Sequence, residues 1–285
     1  MPRILVTGAG GFIGSHLVPR LRALQHEVFA VNRLSGDIAA ASTWRVLPDA
    51  EVVIHLAGRT FVPESWADPV GFLSTNLNSA VCALDYCMER NARLVFMSSY
   101  LYGVPDALPI AESAKLHANN PYALSKKLGE EACRFYSDYF AVSVTVLRPF
   151  NIYGPGQDIR FLIPSIVEQI HAGNPVQVQD LEPKRDYVYI DDVIEAFVAA
   201  IDHARRFDVF NIASGTSHSV KELIDLIQKS SNKNLPVKVV GTRRPQEVMD
   251  TRADIARARE ILGWFPHCNL DEGIAKILQE KKNRS

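Results

Sequence analysis

Segment 3–14 constrains the fold of this chain more than any other. A short apolar run at residues 4–6 is followed by glycines at positions 8, 11 and 14, and then by apolar residues at helical spacing. A run of this size is typical of a strand buried on both faces. The order strand, glycine turn, helix is the context in which a glycine motif predicts a nucleotide site. The spacing is G-x-x-G-x-x-G rather than G-x-G-x-x-G.

Each of the three glycines has a predicted part in binding a dinucleotide. Gly8 allows the tight turn, Gly11 lets the backbone approach a pyrophosphate, and Gly14 lets the helix pack closely on the strand. Phe12 and Ile13 open the helix, whose free N–H groups and positive dipole end attract phosphate. We therefore assign these five residues to a cofactor site. The alternative is a glycine turn that joins strand to helix and binds nothing.

Composition and charge limit the classes of protein to consider. The 285 residues are 47% hydrophobic with a formal net charge of -1, which fits one large domain or two closely joined ones and gives no sign of a nucleic-acid surface. The four cysteines have neither C-x-x-C nor zinc spacing, so we predict free thiols and no metal site. No signal peptide pattern and no apolar run of ~18 residues is seen. We expect a cytoplasmic protein that binds neither nucleic acid nor membrane.

The end of the predicted second strand, residues 27–31, bears on which dinucleotide binds. An acidic residue at this point bonds the adenosine ribose hydroxyls, whereas an arginine accommodates a 2′-phosphate. Arg33 stands there without an Asp or Glu, so NADP(H) is favoured and NAD(H) remains open. We assign Asn32, Arg33 and Asp37 to the cofactor site; an arginine that is only a solvated loop charge is the alternative. Residues 36–38 are expected to begin a very short third strand.

Strands and helices alternate as far as residue 151, which predicts an α/β fold with a Rossmann-type doubly wound parallel sheet. We divide the chain into an NAD(P)-binding domain at 1–150 and a smaller α/β lobe at 151–285 that binds the substrate, parts of which cross back. His55, near the end of a buried strand at 51–58, is interpreted as a core histidine. Only residues 281–285 are expected to be disordered.

Ser98, Tyr122 and Lys126 form a candidate catalytic group. Ser98 follows a strand at 93–97, and Tyr122 and Lys126 share one face of a helix that Pro121 opens. A lysine ammonium within reach favours the phenolate and is expected to lower the tyrosine pKa by ~1–3 units from its ordinary value. Tyr122 could then exchange a proton with a carbonyl oxygen that Ser98 holds by a hydrogen bond. Two exposed helix residues without a role are the alternative.

The motifs, taken in order along nearly the whole chain, resemble an extended short-chain dehydrogenase/reductase of the nucleotide-sugar epimerase/dehydratase family. They are TGAGGFIG at 7–14, HLAG at 55–58, SSYLYG at 98–103, PYALSK at 121–126, RPFNIYGPG at 148–156, KRDYVYIDD at 184–192 and LGWFP at 262–266.

This resemblance implies roles for individual residues. Ser98 matches the family's catalytic Ser or Thr, with Ser99 as the second candidate and a substrate contact. Tyr122 matches the catalytic tyrosine, and Lys126 the lysine that also holds the nicotinamide ribose. Beyond the glycine turn and the second strand end, the implied cofactor-binding residues are Leu56, Ala57, Gly58, Asn76, Tyr122, Lys126 and Pro149. The implied substrate-binding residues are Ser99, Asn151, Arg185 and either Arg243 or Arg244, of which Arg244 is the one that we assign.

The resemblance also limits the reaction. Family dehydratases follow the catalytic residue with an acid, but here Ser99 and Tyr100 follow Ser98, which disfavours dehydration. A reductase would use NADPH on an NDP-4-keto-6-deoxyhexose at C4, whereas a UDP-glucose-type 4-epimerase would keep NAD bound. Arg33 favours the reductase, and residues 61–66 and 180–186 resemble the GDP-4-keto-6-deoxymannose reductase branch. A non-catalytic dinucleotide sensor is a remote alternative. The family usually forms homodimers, here through helices at about 69–90 and 121–140.

Overall fold

The structure is a computed structural model and describes residues 1–241 and 248–284. The strands are β1 (Arg3–Thr7), β2 (Glu27–Val31), β3 (Val52–His55), β4 (Arg93–Met97), β5 (Val144–Pro149), β6 (Asn151–Tyr153), β7 (Val176–Val178), β8 (Lys184–Tyr189), β9 (Phe207–Ile212), β10 (Ser217–Ser219) and β11 (Val237–Val239). The helices are α1 (Phe12–Ala23), α2 (Ala41–Arg45), α3 (Val62–Ala67), α4 (Pro69–Arg90), α5 (Pro121–Phe140), α6 (Leu162–His171), α7 (Ile190–Ile201), α8 (Val220–Ser230) and α9 (Leu270–Arg284).

A six-stranded parallel sheet with the order β2-β1-β3-β4-β5-β9 lies at the centre of the molecule. Successive side chains of a strand point to opposite faces, so Ile4 of β1 packs with α1 and α7, and Leu5 packs with α4 and α5. Helices therefore cover both faces, which is why the strands are continuously apolar. The predicted doubly wound α/β sheet is confirmed. Strand order reverses between β1 and β3, and ligands bind at such a point in open α/β sheets.

Side-chain caps fix where the two longest helices begin. Asp68 accepts a hydrogen bond from the Gly71 N–H at the start of α4, and Asn120 accepts one from the Ala123 N–H at the start of α5. Both helices carry a proline in the first turn, where its missing N–H costs nothing. These caps place Tyr122 in the first turn of α5, close to the carboxyl edge of the sheet.

The chain beyond residue 150 forms two small sheets, β10-β8-β6 and β11-β7, but it also returns to the large sheet. Strand β9 pairs with β5, and α7 packs on the same sheet face as α1. Arg20 of α1 donates to Glu195 of α7 at 2.7 Å. The division into domains at 1–150 and 151–285 stays a prediction.

Two local expectations are wrong. Residues 36–38 form no strand, because a 3-10 helix at Arg33–Ser35 and the helix α2 carry the chain away from the sheet edge. Lys281 is not in a disordered tail, because α9 extends to Arg284 and Lys281 forms an ion pair with Glu168. Within the described part of the chain, no helix is both long enough and apolar enough to pass through a membrane.

Candidate active site

The glycine turn after β1 has the close approaches that the sequence predicts. Gly8 has a φ of +70°, and a Cβ on it would lie 2.8 Å from the backbone N of Ala57. A Cβ on Gly14 would lie 2.3 Å from the carbonyl O of Gly8, so neither position accepts a side chain without a shift. Gly11 caps α1, whose first turn contains Phe12 and Ile13. The result is a bare backbone cradle at a helix N-terminus, which fits a dinucleotide pyrophosphate.

The residues after β2 lie on the surface next to this cradle. Asn32 caps the 3-10 helix by accepting from the Leu34 N–H at 2.9 Å. Arg33 is exposed in that helix, so its guanidinium can reach a ligand in solvent. Asp37 is also exposed, and its Oδ1 accepts from the Ala39 N–H at 3.0 Å. Arg33 is therefore a cation next to the predicted adenosine position. The Asp37 carboxylate stabilises the turn at residues 37–39.

The strand end at β3 is joined to α4 and α5 by the side chain of Asn76. Its Oδ1 accepts from the Arg59 N–H at 2.8 Å, and its Nδ2 donates to the Ser125 hydroxyl at 2.8 Å. A Cβ on Gly58 would lie 2.9 Å from Asn76 Oδ1 and 3.8 Å from Lys126 Nζ. The exit of β3 and the face of α5 that carries the candidate catalytic residues therefore meet. The neighbouring residues Leu56 and Ala57 line the same exit, where the Ala57 N–H donates to the Thr7 hydroxyl at 3.2 Å.

His55 is a satisfied core histidine, as the sequence indicates. It is 1% exposed, with Nδ1 2.9 Å from Thr7 Oγ1 and Nε2 3.2 Å from Ser79 Oγ. Because the Ser79 hydroxyl donates to the Asn76 carbonyl at 3.2 Å, it accepts from His55 Nε2, which leaves Nδ1 to accept from the Thr7 hydroxyl. Burial lowers the pKa of His55 to about 3, and the nearby Lys126 charge acts in the same direction. The ring is therefore neutral.

The two serines after β4 differ in what they face. The Ser99 side chain acts on Tyr122, which is 8% exposed, by opposing the rise in its pKa. Ser98 is fully buried, its N–H donates to the Leu147 carbonyl at 2.8 Å, and its Oγ has no partner among the residues that the structure describes. The catalytic role given to Ser98, with Ser99 as the second candidate, stays a prediction.

The electrostatics of Tyr122 and Lys126 differ from the sequence expectation. Burial raises the pKa of Tyr122, and the Ser99 hydrogen bond partly opposes this. Lys126 is 3% exposed and donates from Nζ to the Met97 carbonyl at 2.7 Å. Burial lowers the pKa of Lys126 to about 8, against the opposing effects of Cys133 and Glu130. The pKa of Tyr122 is therefore raised and not lowered as the sequence predicts, because desolvation of the phenol dominates.

Two of the predicted substrate residues, Asn151 and Arg185, lie on the three-stranded sheet. Asn151 begins β6, and its Nδ2 donates to the Asp186 carbonyl at 3.0 Å. Arg185 of β8 donates from Nη1 to the Val248 carbonyl at 2.6 Å. Pro149 is buried at the end of β5, two residues before Asn151. Arg243 and Arg244 lie outside the described residues.

Asp186, which sequence reasoning did not assign, is buried next to Arg185, and its backbone carbonyl accepts from Asn151. Its carboxylate accepts from the Ser214 N–H and hydroxyl, both at 2.7 Å, and from the Gly215 N–H at 3.0 Å. Burial nevertheless raises its pKa to about 6. The adjacent arginine at 185 marks this strand in the sequence, but nothing in the pattern indicates that the aspartate points inward.

A buried group around Arg148 was also missed. Arg148 and Glu130 form an ion pair at 2.6 Å in which both side chains are 6% exposed. The same guanidinium donates to the Tyr102 hydroxyl at 2.9 Å. The sequence gives only a weak indication of this buried group, which is that Glu130 lies on the face of α5 that carries Tyr122 and Lys126.

Taken together, the doubly wound sheet, the glycine cradle and the Tyr122–Lys126 helix face define an oxidoreductase that uses a dinucleotide. The model of the NAD dependent epimerase/dehydratase family matches residues 4–213, so the chain belongs to that family. It is an NAD(P)-dependent enzyme of the nucleotide-sugar reductase and epimerase class.

Individual relatives from both of these groups are similar over their whole length. GDP-6-deoxy-D-mannose reductase of Pseudomonas aeruginosa is 33% identical, and the alignment covers 99% of this chain and 98% of that protein. UDP-glucose 4-epimerase of Mycolicibacterium smegmatis is 32% identical, with 99% of each chain covered. The solved structure of RMD from Pseudomonas aeruginosa complexed with NADPH has a TM-score of 0.92 and 30% identity over 100% of both chains.

Proposed function

We propose that this protein reduces the 4-keto group of a nucleotide-activated 6-deoxyhexose with NADPH. The observation that carries the proposal is Arg33, an exposed cation just after β2, whose end has no Asp or Glu to bond the ribose hydroxyls. Two similar proteins of Pseudomonas aeruginosa support it: the relative named GDP-6-deoxy-D-mannose reductase, and RMD, whose structure was solved in complex with NADPH. GDP-4-keto-6-deoxymannose is therefore the first substrate to assay.

In this proposal the chain's own residues orient the sugar and move one proton. Bound NADPH supplies hydride to the C4 carbon of the substrate. Tyr122 donates its phenolic proton to the C4 oxygen, and a hydroxyl of the Ser98–Ser99 pair holds that oxygen by a hydrogen bond. Lys126 contributes a buried positive charge one turn away. Arg185 and Asn151 bind the diphosphate, for which the guanidinium fork is suited.

The second candidate is a 4-epimerase that keeps NAD bound, supported by the 32% identical UDP-glucose 4-epimerase. Identifying the dinucleotide that denatured protein releases separates the two. Stoichiometric NAD would favour the epimerase. A protein that is isolated empty and then binds NADPH better than NADH would favour the reductase.

Activity is then followed as NADPH oxidation with the 4-keto sugar, using Tyr122→Phe as the test variant. We expect it to bind NADPH as the wild type does and to lose at least ~100-fold in kcat, because the proton donor is gone. Unchanged turnover would refute the role of Tyr122.

We also propose a homodimer in which α4 and α5 of each chain pack together. Apolar side chains on both helices are exposed, including Val70 and Met88 of α4 and Phe135, Tyr139 and Phe140 of α5. Exposed apolar patches of this kind mark interaction surfaces. Sedimentation of Phe135→Glu tests the proposal: a dimeric wild type should become monomeric, and a monomeric wild type would refute it.

A further inference from the structure

A buried polar network joins the two segments that carry the candidate catalytic residues. Its centre is Arg148, near the end of β5. The guanidinium Nε and Nη2 donate to the two carboxylate oxygens of Glu130 on α5 at 2.9 and 2.6 Å. Its Nη1 donates to the hydroxyl of Tyr102, in the loop after β4, at 2.9 Å. One guanidinium is thus bonded both to the helix of Tyr122 and to the loop of the two serines.

The spacing along the chain aligns the network with the reacting groups. Glu130 lies two helical turns after Tyr122 and one turn after Lys126, and all three side chains are buried on one face of α5. Tyr102 lies four residues after Ser98. The bond from the Ser98 N–H to the carbonyl of Leu147 also ties the loop to β5 next to Arg148.

We propose that Arg148, Glu130 and Tyr102 are positioning residues that hold Tyr122 at the correct distance from the Ser98–Ser99 segment. The inference rests on the proposed function, because the chemistry that it positions is the proton transfer by Tyr122. A two-bond Arg–carboxylate pair has a fixed geometry. A buried ion pair adds little net stability compared with apolar residues of similar volume. Its use here is therefore geometric.

Tyr102 is the position at which the network can be cut without leaving a buried charge unpaired. Its hydroxyl donates to Asn211 Oδ1 at 2.6 Å while it accepts from Arg148. After Tyr102→Phe, the Glu130 ion pair remains, and Arg148 Nη1 keeps its bond to the Glu112 carbonyl at 3.1 Å. The variant should therefore fold, and it loses the two Tyr102 hydroxyl bonds, to Arg148 and to Asn211 Oδ1.

Tyr86→Phe is a matched control. Tyr86 is 2% exposed, and its hydroxyl likewise donates one bond, to the Pro48 carbonyl, and accepts one, from the Ala50 N–H. Those partners precede β3, at the edge of the sheet opposite the site. Both variants lose the same kind of buried hydroxyl, so a general loss of stability affects them equally.

We expect Tyr102→Phe to lower kcat by about 10- to 100-fold, because small displacements of reacting groups are costly. The Kd of NADPH and the KM of the sugar should stay within about twofold, and Tyr86→Phe should keep its kcat within about twofold. Equal losses in the two variants, or an unchanged kcat in Tyr102→Phe, would overturn the proposal.

The neutral double variant Glu130→Gln/Arg148→Met tests the ion pair itself. Replacing both partners leaves no buried charge, so it should fold. Its kcat should fall at least as far as that of Tyr102→Phe, and combining the two changes should cost less than the product of their separate effects, because they cut one network. A wild-type kcat in the double variant would overturn the proposal.

A measurement made without substrate tests the network independently of the proposed function. Tyr122 is titrated by its tyrosinate absorbance, as the difference between each protein and the same protein carrying Tyr122→Phe. Tyr102→Phe should raise the pKa of Tyr122, because displacing the serine loop weakens the effect of Ser99 that lowers it, and Tyr86→Phe should not. Failure of the wild type to reduce any 4-keto sugar counts against the proposed function alone. An unchanged Tyr122 titration in Tyr102→Phe counts against the network.

Discussion

Acidification should destabilise this protein through one buried side chain, His55. The ring is 1% exposed and bonded on both nitrogens to hydroxyls of Thr7 and Ser79. Burial, helped by the charge of Lys126, lowers the pKa of His55 from 6.5 to about 3. A second ring proton would need an acceptor, and Thr7 could accept it only by redirecting its own proton. The variant His55→Gln tests this, because it keeps a polar side chain at this position that cannot take up a proton.

The expected magnitude follows from proton linkage. In the unfolded chain His55 takes up a proton below pH 6.5, whereas in the folded chain it does not until about pH 3. The unfolded state therefore binds more protons between these values, and the free energy of unfolding falls as pH falls, at about 1.4 kcal/mol per pH unit. From pH 7 to pH 5 the loss is about 2 kcal/mol. In this window the result barely depends on the folded-state value, because both pH values lie well above it.

Urea unfolding of wild type and His55→Gln at pH 7 and pH 5 measures this effect. The variant should be less stable at pH 7, and its deficit should shrink by about 2 kcal/mol at pH 5, because only the wild type loses stability through this group. Ile54→Val, at the preceding buried position of β3, is the control: it should cost about 0.5–1.5 kcal/mol at both pH values. A deficit of His55→Gln that does not change with pH would refute the reasoning.

Three further predictions concern the site. Ser99→Ala should lower kcat more than Ser98→Ala, because the Ser99 side chain acts on the pKa of the candidate proton donor; steady-state kinetics showing the reverse would return the role to Ser98. Arg33→Ala should raise the Kd of NADPH by about 10-fold or more, from loss of a charged contact, and leave NADH nearly unchanged; equal losses in fluorescence titrations would remove the argument for a 2′-phosphate. Gly14→Ala should abolish NADPH binding or folding, since its Cβ would lie 2.3 Å from the Gly8 carbonyl O; a normally binding variant would contradict that close approach.

The sequence was informative wherever local chemistry determines the outcome. Apolar runs buried on both faces predict parallel strands, and Pro121 after a capping Asn120 predicts where α5 begins. The glycine spacing predicts the cradle, because the close approaches at Gly8 and Gly14 exclude any side chain. His55 was interpreted correctly because no partner for catalysis is patterned with it.

Side-chain direction and charge burial were not predictable in the same way. Ser98 and Ser99 are neighbours of the same type, but only the structure shows that Ser98 is fully buried and that Ser99 acts on the pKa of Tyr122. Glu130 and Glu131 are likewise adjacent, yet Glu130 is buried against Arg148 and Glu131 is exposed beside Lys127. The sequence alone does not distinguish the buried glutamate from the exposed one. What separates them is a partner that is distant in the chain.

Reductase and epimerase require the same proton transfer at C4 and differ in whether the dinucleotide leaves after each cycle. The glycine cradle and Tyr122 therefore serve both reactions and cannot separate them. The part of the site that binds the adenosine can separate them. An exposed Arg33 can hold a 2′-phosphate at a position that solvent reaches, which permits exchange of the dinucleotide. An enzyme that retains NAD has no 2′-phosphate to bind there. For this reason the identity of the released dinucleotide discriminates between the reactions more directly than an assay of any one sugar.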